Sequence, residues 1–94
     1  PMISTAAQAA ACVAACRYPP AGLRSCGPTR AMTYDPQYLQ HADRSVMCVV
    51  MIETEQGVAN ANEIAAVPGV DALFVGPVDL SYSLAGGVQG LRTQ

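Results

Sequence analysis

The sequence predicts an α/β fold built on a parallel sheet of which this chain supplies only part. Two continuous apolar runs of strand length, at residues 46–52 and 70–75, flank a segment with a weak helical pattern. Neither run alternates polar and apolar residues, which is typical of parallel strands covered on both faces. Two strands cannot make a stable sheet by themselves. We therefore expect residues 1–94 to be a single partial domain of a larger core.

The composition excludes several classes of protein. The chain is 51% hydrophobic and 13% charged, which is too apolar for a disordered chain and too interrupted for a membrane span. Its net charge is −2, and its five basic residues are scattered arginines, so a nucleic-acid surface is not expected. No charged region followed by an apolar leader is visible. We expect a cytoplasmic protein without membrane or nucleic-acid partners.

The elements are predicted in chain order. Thr5 and Gln8 have the spacing of a capping box, followed by an alanine-rich helix over residues 6–17. The two prolines after Tyr18 end that helix. Residues 21–45 are interpreted as a long loop with a short helix near 36–41. After the first strand comes a helical segment at 54–67, in which Asn60 or Asn62 could cap a turn, and another helix opens near Asp79.

The four cysteines form no CxxC pair and fit no common zinc spacing. Cys12 and Cys16 share a helix face, and Cys48 lies inside an apolar run. We expect reduced cysteines that act as small core residues, in preference to a metal cluster with His41. His41 itself is interpreted as a surface loop histidine.

Two carboxylates follow the predicted strands. Glu53 comes directly after the first run, and Asp79 follows the second by one short turn. Because the carboxyl ends of parallel strands carry the chemistry and neighbours lie about 4.8 Å apart, these two groups could share a Mg²⁺ or Mn²⁺ ion. From the pattern alone, a helix cap or a solvated loop charge is the commoner explanation. Glu55, Glu63 and Asp71 are assigned to that second class.

The loop from Gly76 to Asp79 adds a second feature. Gly76 lets the backbone approach a ligand closely, and the amides of Val78 and Asp79 lie near a helix start, where they could bind an anion. With a cation beside them, these groups could hold a 2-keto acid. The alternative is a plain tight turn stiffened by Pro77.

Three sequence motifs resemble one known family. RYPPAGLRS at residues 17–25, MIET at 51–54 and VPGVDALFVGPVDLS at 67–81 are similar to the HpcH/HpaI family of class II pyruvate aldolases. The resemblance implies a (β/α)₈ TIM barrel, of which this chain is the end of strand 4 through strand 6 and the following helix. It also implies metal binding by Glu53 and Asp79, and substrate binding by Gly76, Pro77, Val78 and Asp79.

The resemblance further implies an activity. The family uses Mg²⁺, Mn²⁺ or Co²⁺ to cleave 4-hydroxy-2-keto acids reversibly into pyruvate and an aldehyde, usually as a hexamer. Its catalytic arginine and His–Asp base come from strands outside this chain, so no catalytic residue is assigned here and the chain alone is expected to be inactive. Arg30 has two readings, an aldehyde contact or a structural salt bridge. The alternative functions are a citramalyl- or malyl-thioester lyase that acts on coenzyme A esters, and an inactive truncated product.

Overall fold

The computed structural model describes residues 1–87 as helices packed on a small parallel sheet. In chain order the elements are α1 (Ala6–Cys16), α2 (Thr29–Tyr34), α3 (Tyr38–Ser45), β1 (Val49–Ile52), α4 (Glu55–Ala59), α5 (Ala61–Ala65), β2 (Ala72–Val75) and α6 (Pro77–Ala85). Among these residues, no helix is both long and apolar enough to cross a bilayer.

The sheet confirms the predicted strand–helix–strand unit. β1 and β2 are parallel, with Val49 opposite Ala72 and Ile52 opposite Val75, and helices α4 and α5 connect them. The amide of Ile3 donates to the carbonyl of Met51 at 3.0 Å, so the first residues of the chain lie along the other edge of β1. The carboxyl ends of β1 and β2 therefore meet at one edge of the sheet.

Helix α1 begins as the sequence predicts. The Thr5 hydroxyl accepts from the amide of Gln8 at 3.1 Å, and the Gln8 side chain accepts from the amide of Thr5 at 3.2 Å. This reciprocal pair satisfies amides that a helix start leaves without partners. The helix ends at Cys16, one residue before the predicted end.

The core lies between the helices and one face of the sheet. Its buried members are Ala9 of α1, Ile64 of α5, and Cys48, Val50 and Ile52 on or beside β1. Cys12, Val13 and Cys16 of α1 pack against the same cluster. Together with Ala9 they have the spacing of residues on a single helix face.

The other face of the sheet is not covered by residues 1–87. Val49 and Phe74 are 47% and 55% exposed, although both are large and apolar. The cover that the sequence predicts for both strand faces is thus present on one face only within residues 1–87, where the core cluster lies. A two-sided apolar strand with a bare face is what part of a larger parallel structure presents.

The region predicted as a long loop contains two helices, which is a correction. Pro28 is the N-cap of α2 and Asp35 is its C-cap, so the Gly-Pro and Asp-Pro signals mark helix boundaries and not an irregular chain. His41 lies in α3 and not in a loop; its ring nitrogens contact the Ser45 hydroxyl at 2.7 Å and the Asp35 carboxylate at 2.5 Å. Both partners are local, so this histidine joins α3 to the end of α2.

Other boundaries also differ from the sequence prediction. The strands begin at Val49 and Ala72, which is three and two residues later than expected from residues 46 and 70. The helical segment divides at Asn60, whose side-chain nitrogen donates to the carbonyl of Ser4 at 2.8 Å instead of capping the next helix. The Asn60 side chain, which the local pattern assigns to a helix cap, thus makes a tertiary hydrogen bond to Ser4 instead.

The segment that carries the RYPPAGLRS motif is held against α3. The amide of Tyr18 donates to Asp43 at 2.9 Å, and the Tyr18 ring is buried beneath the Arg24 guanidinium at 4.5 Å. Arg24 also donates to the Tyr38 hydroxyl at 3.0 Å. In the residues described, this motif therefore builds a cation–π junction between the end of α1 and α3.

Candidate metal and keto-acid site

Glu53 is a buried carboxylate at the carboxyl end of β1. Its side chain is 5% exposed, and Oε2 accepts from the amide of Met2 at 2.6 Å. Met2 has a φ of +58°, in the left-handed region that residues other than glycine seldom adopt. A buried charge is costly unless it is compensated. The hydrogen bond from the Met2 amide compensates part of the Glu53 charge. Met2 makes this hydrogen bond while its backbone is in the left-handed region.

Gly76 lies directly beside this carboxylate, at the carboxyl end of β2. Its amide donates to the carbonyl of Ile52 at 3.0 Å, which continues the parallel ladder past Val75. A Cβ on residue 76 would lie 2.5 Å from Oε1 of Glu53 and 2.6 Å from its Cγ. No side chain fits there, so glycine is required for the Glu53 carboxyl group to reach this position. The close approach observed at Gly76 is to the Glu53 side chain, and the approach to a ligand stays a prediction.

Helix α6 begins immediately after Gly76. Pro77 occupies the first turn, and the amide of Leu80 donates to the Gly76 carbonyl at 3.0 Å. In residues 1–87, the amides of Val78 and Asp79 have no protein acceptor, as expected for the first turn of a helix. They are available to an anion. Asp79 lies in this turn and is exposed.

Polar side chains that the sequence analysis did not single out position these elements. The Thr54 hydroxyl caps α4 by accepting from the amide of Gly57 at 2.9 Å, and it contacts the Ser4 hydroxyl at 2.5 Å. Ser83 of α6 accepts from the amide of Glu55 at 2.8 Å, which ties α6 to the start of α4. Thr54 carried a readable signal, since a threonine at a helix start is a frequent N-cap. The contacts of Ser4 and Ser83 span distant parts of the chain and have no local signature.

Two carboxylates at this edge have the donor chemistry that a hard divalent cation requires. Glu53 and Asp79 offer carboxylate oxygens, the ligands that Mg²⁺ and Mn²⁺ prefer. In residues 1–87, Oε1 of Glu53 accepts no hydrogen bond. There is space for this oxygen because Gly76, next to it, has no Cβ. A buried carboxylate with one unengaged oxygen, beside the helix turn that carries a second carboxylate, is consistent with an ion site.

The remaining acidic residues behave as expected. Asp71 lies at the opposite end of the sheet, where its carboxylate accepts from the amide of Cys48 at 2.7 Å. Glu55 and Glu63 are exposed, each in the first turn of a short helix. These three carboxylates differ from Glu53 in position or in burial, in line with the separate class to which the sequence analysis assigned them.

Arg30 and His41 do not join this edge of the sheet through any described contact. Within residues 1–87 the ion pair between His41 and Asp35 is the single one present, so the salt-bridge reading of Arg30 is not realised there. Arg30 is exposed in α2. The same part of the chain encloses no pocket at this edge of the sheet.

Comparison with known proteins agrees with the motifs. The sequence model of the HpcH/HpaI aldolase/citrate lyase family matches residues 1–89. This chain belongs to that family. The assignment confirms the resemblance carried by the three motifs.

Curated relatives in this family are named as aldolases. The hydroxypyruvate/pyruvate aldolase of Delftia acidovorans is 52% identical over 88 residues, covering 89% of this chain and 33% of the relative. The 4-hydroxy-2-oxovalerate aldolase of Rhodococcus jostii is 48% identical over 86 residues, again covering 89% of this chain and 33% of the relative. The chain therefore spans about a third of the length of the curated relatives it matches.

Solved structures share the arrangement of the elements. A crystal structure of an HpcH/HpaI aldolase/citrate lyase family protein from Burkholderia cenocepacia superposes with a TM-score of 0.82 at 41% identity, covering 94% of this chain and 37% of that one. The citrate synthase SbnG superposes with a TM-score of 0.73 at 32% identity, covering 97% of this chain and 35% of that one. The α/β fold with its small parallel sheet thus matches part of a larger family fold.

Proposed function

We propose that the complete protein carrying this chain is a metal-dependent carbon–carbon lyase that cleaves 4-hydroxy-2-keto acids into pyruvate and an aldehyde. The observation that carries the proposal is the buried Glu53 carboxylate, seated against Gly76 at the shared carboxyl edge of β1 and β2. The aldolase names of the relatives support the same substrate class.

The sheet supports a place for this chain within a (β/α)₈ barrel. Side chains alternate along a strand, so Glu53 falls on the same face as Val49 and Met51, opposite the helix-covered core. In a barrel that bare face would become the interior, which is filled by layers of apolar side chains. We assign the segment around Ile3 to the end of strand 4 and the two observed strands to strands 5 and 6.

Each residue of the site has a proposed role. Glu53 and Asp79 hold the divalent cation, which could be Mg²⁺, Mn²⁺ or Co²⁺. When bound, the cation supplies a Lewis acid that polarises the substrate keto group. The amides of Val78 and Asp79 orient the substrate carboxylate at the start of α6. Gly76 keeps space for the Glu53 carboxyl group, and Pro77 fixes the first turn of α6.

The proton that leaves the pyruvate methyl group needs a base from another part of the barrel. In the described residues, His41 is engaged by Asp35 and Ser45 on α3, where it serves the helix junction. We propose that the base and an arginine for the developing charge come from strands that this chain does not contain. The chain alone is then expected to be inactive.

The test is a pair of measurements on the complete protein. Glu53→Gln should lower metal affinity by more than about 100-fold, because loss of an outer-shell partner alone costs about 10- to 100-fold. It should also abolish exchange of pyruvate methyl protons with deuterated water, followed by NMR. Glu63→Gln is the matched control, since Glu63 is an exposed glutamate of α5. An unchanged exchange rate in Glu53→Gln would refute the proposal.

A thioester lyase remains the second candidate because the SbnG citrate synthase shares the fold at 32% identity. The description of the matching family also names citrate lyase. Turnover of citramalyl- or malyl-coenzyme A by the complete protein, without cleavage of a 4-hydroxy-2-keto acid, would favour this candidate. From the family resemblance we also propose that the complete protein assembles as a homo-hexamer, and the mass measured by light scattering tests this.

A further inference from the structure

Three of the four cysteines converge at the opposite end of β1 from Glu53. Cys12 and Cys16 lie one turn apart on α1, and Cys48 directly precedes β1. Their three sulfur atoms all lie within 4.8 Å of one another, and the Cys12 and Cys48 sulfurs are 3.8 Å apart. Cys26 is exposed and stands apart from this group, which we call the thiol cluster (Cys12, Cys16, Cys48).

The spacing of the thiol cluster matches three ligands around one ion. Three sulfurs at about 2.3 Å from a central metal in a plane would be about 4.0 Å from one another. The Cys12–Cys48 separation is already close to that value, and the upper bound of 4.8 Å requires a shift of less than about 1 Å. Such a shift lies within the reach of side-chain rotation.

The surroundings favour a soft ion that accepts three ligands. In residues 1–87, no histidine or carboxylate joins the cluster as a fourth ligand. The cluster packs with Ala9, Val13 and Val50, which offer no ligand atom to a bound ion. Thiolates select Cu(I), zinc and iron–sulfur clusters. Structural zinc sites are almost always four-coordinate, so a set of three thiols favours Cu(I) over zinc.

We propose that Cys12, Cys16 and Cys48 form a binding site for Cu(I), separate from the hard-metal site at Glu53. Each thiol that binds the ion releases its proton to solvent. The site links α1 to the start of β1 and so would brace the helix layer against the sheet. It holds a different class of metal from Glu53 and Asp79, because carboxylate oxygens prefer hard divalent cations.

The test is titration of the complete, reduced protein with Cu(I) under anaerobic conditions, in competition with a chelator of known affinity. One Cu(I) should bind with three sulfur ligands by X-ray absorption. Cys12→Ser and Cys16→Ser should each weaken binding by at least about 10- to 100-fold, the cost of losing even an outer-shell partner. Cys26→Ser is the matched control and should bind as the parent does, and so should Glu53→Gln.

Cys48 is 1% exposed, so its replacement could unfold the core. Cu(I) binding by Cys48→Ala is therefore interpreted only if its circular dichroism spectrum shows that the protein is folded. The variants of half-buried Cys12 and Cys16 test the proposal without replacing a fully buried residue. Three outcomes would overturn the proposal: no binding of Cu(I), equal loss in Cys26→Ser, or four-coordinate Zn²⁺ binding at these thiols in preference to Cu(I).

Discussion

At the scale of single residues, Gly76 and Glu53 depend on each other. The absent Cβ of Gly76 is the space in which the Glu53 carboxyl group lies. Sequence reasoning expected this glycine to let the backbone approach a ligand closely, and its φ of −93° is accessible to any residue. The requirement is steric, and it arises from a neighbour 23 positions away in the chain.

Gly76→Ala should therefore displace the Glu53 carboxylate. A Cβ placed 2.5 Å from Oε1 forces that side chain to move, because real Cβ contacts are never so short. Metal affinity of the complete protein should fall by about 10- to 100-fold, measured by calorimetry. Gly27→Ala is the control, since a Cβ there meets nothing within 4 Å. Equal affinities in the two variants would contradict this role.

The four thiols should differ sharply in reactivity in the absence of metal. Burial, and then the neighbouring Cys12 thiol, raises the pKa of Cys48 to about 12. A raised pKa leaves the reactive thiolate scarce at neutral pH. Alkylation followed by mass spectrometry should label exposed Cys26 long before Cys48. Labelling of both at one rate would show that the core around Cys48 opens readily.

The Asp35 carboxylate reports on the junction between α2 and α3. Its hydrogen bond with His41, and then the amide of Gln37, hold its pKa below the ordinary value of 3.8. A lowered pKa means that the folded state favours the ionised form, so this contribution is present above pH 3.8 and is lost as the pH falls through the folded value. His41→Ala should raise the Asp35 pKa, as NMR titration of the carboxyl carbon would reveal. An unmoved pKa would mean that the contact does not form in solution.

At the scale of elements, short helices depend on side chains that fix their first turns. Helix α4 has five residues, too few to be stable alone, and it begins at Thr54 beside Glu53. The Thr54 hydroxyl serves both the Gly57 amide and the Ser4 hydroxyl. One side chain thus joins the helix start, the first residues of the chain and the end of β1.

Thr54→Ala should destabilise the complete protein by about 1 kcal/mol, the usual cost of losing an N-cap. Because Thr54 adjoins Glu53, metal affinity should fall as well. Thr54→Ser keeps the hydroxyl and should restore both quantities. The measurements are urea unfolding and calorimetry. A serine variant as weak as the alanine variant would show that the methyl group, and not the cap, matters.

At the scale of the whole molecule, the chain is an incomplete core. Val49 and Phe74 leave an apolar sheet face uncovered in the described residues, and the relatives are about three times as long. Strands with open faces and edges tend to associate with other chains.

The isolated 94-residue chain should therefore bind a hydrophobic dye and self-associate, and it should show no aldolase activity. Dye fluorescence and sedimentation velocity would measure the first two properties. A monomer with a sharp, cooperative melting transition would contradict the view that residues from elsewhere complete this core.

The sequence by itself determined the strand–helix–strand order, the parallel sheet, the capping box at Thr5 and the family. These follow from local patterns, such as apolar runs and cap spacings, and from motifs that need no knowledge of distant contacts. The same patterns placed Glu53 at the end of β1 and assigned Asp71 to the other end. They failed between residues 21 and 45, because proline and glycine signals that were assigned to a loop mark helix boundaries there.

Only the tertiary structure decided which groups meet across the chain. It set the Met2 amide and Gly76 against the Glu53 carboxyl group, and it brought Cys48 to the two thiols of α1. It also showed that residues 1–87 cover only one face of the sheet. Such contacts join residues that are 23 to 51 positions apart, so no local pattern encodes them. They form only when the helices pack on one side of the sheet.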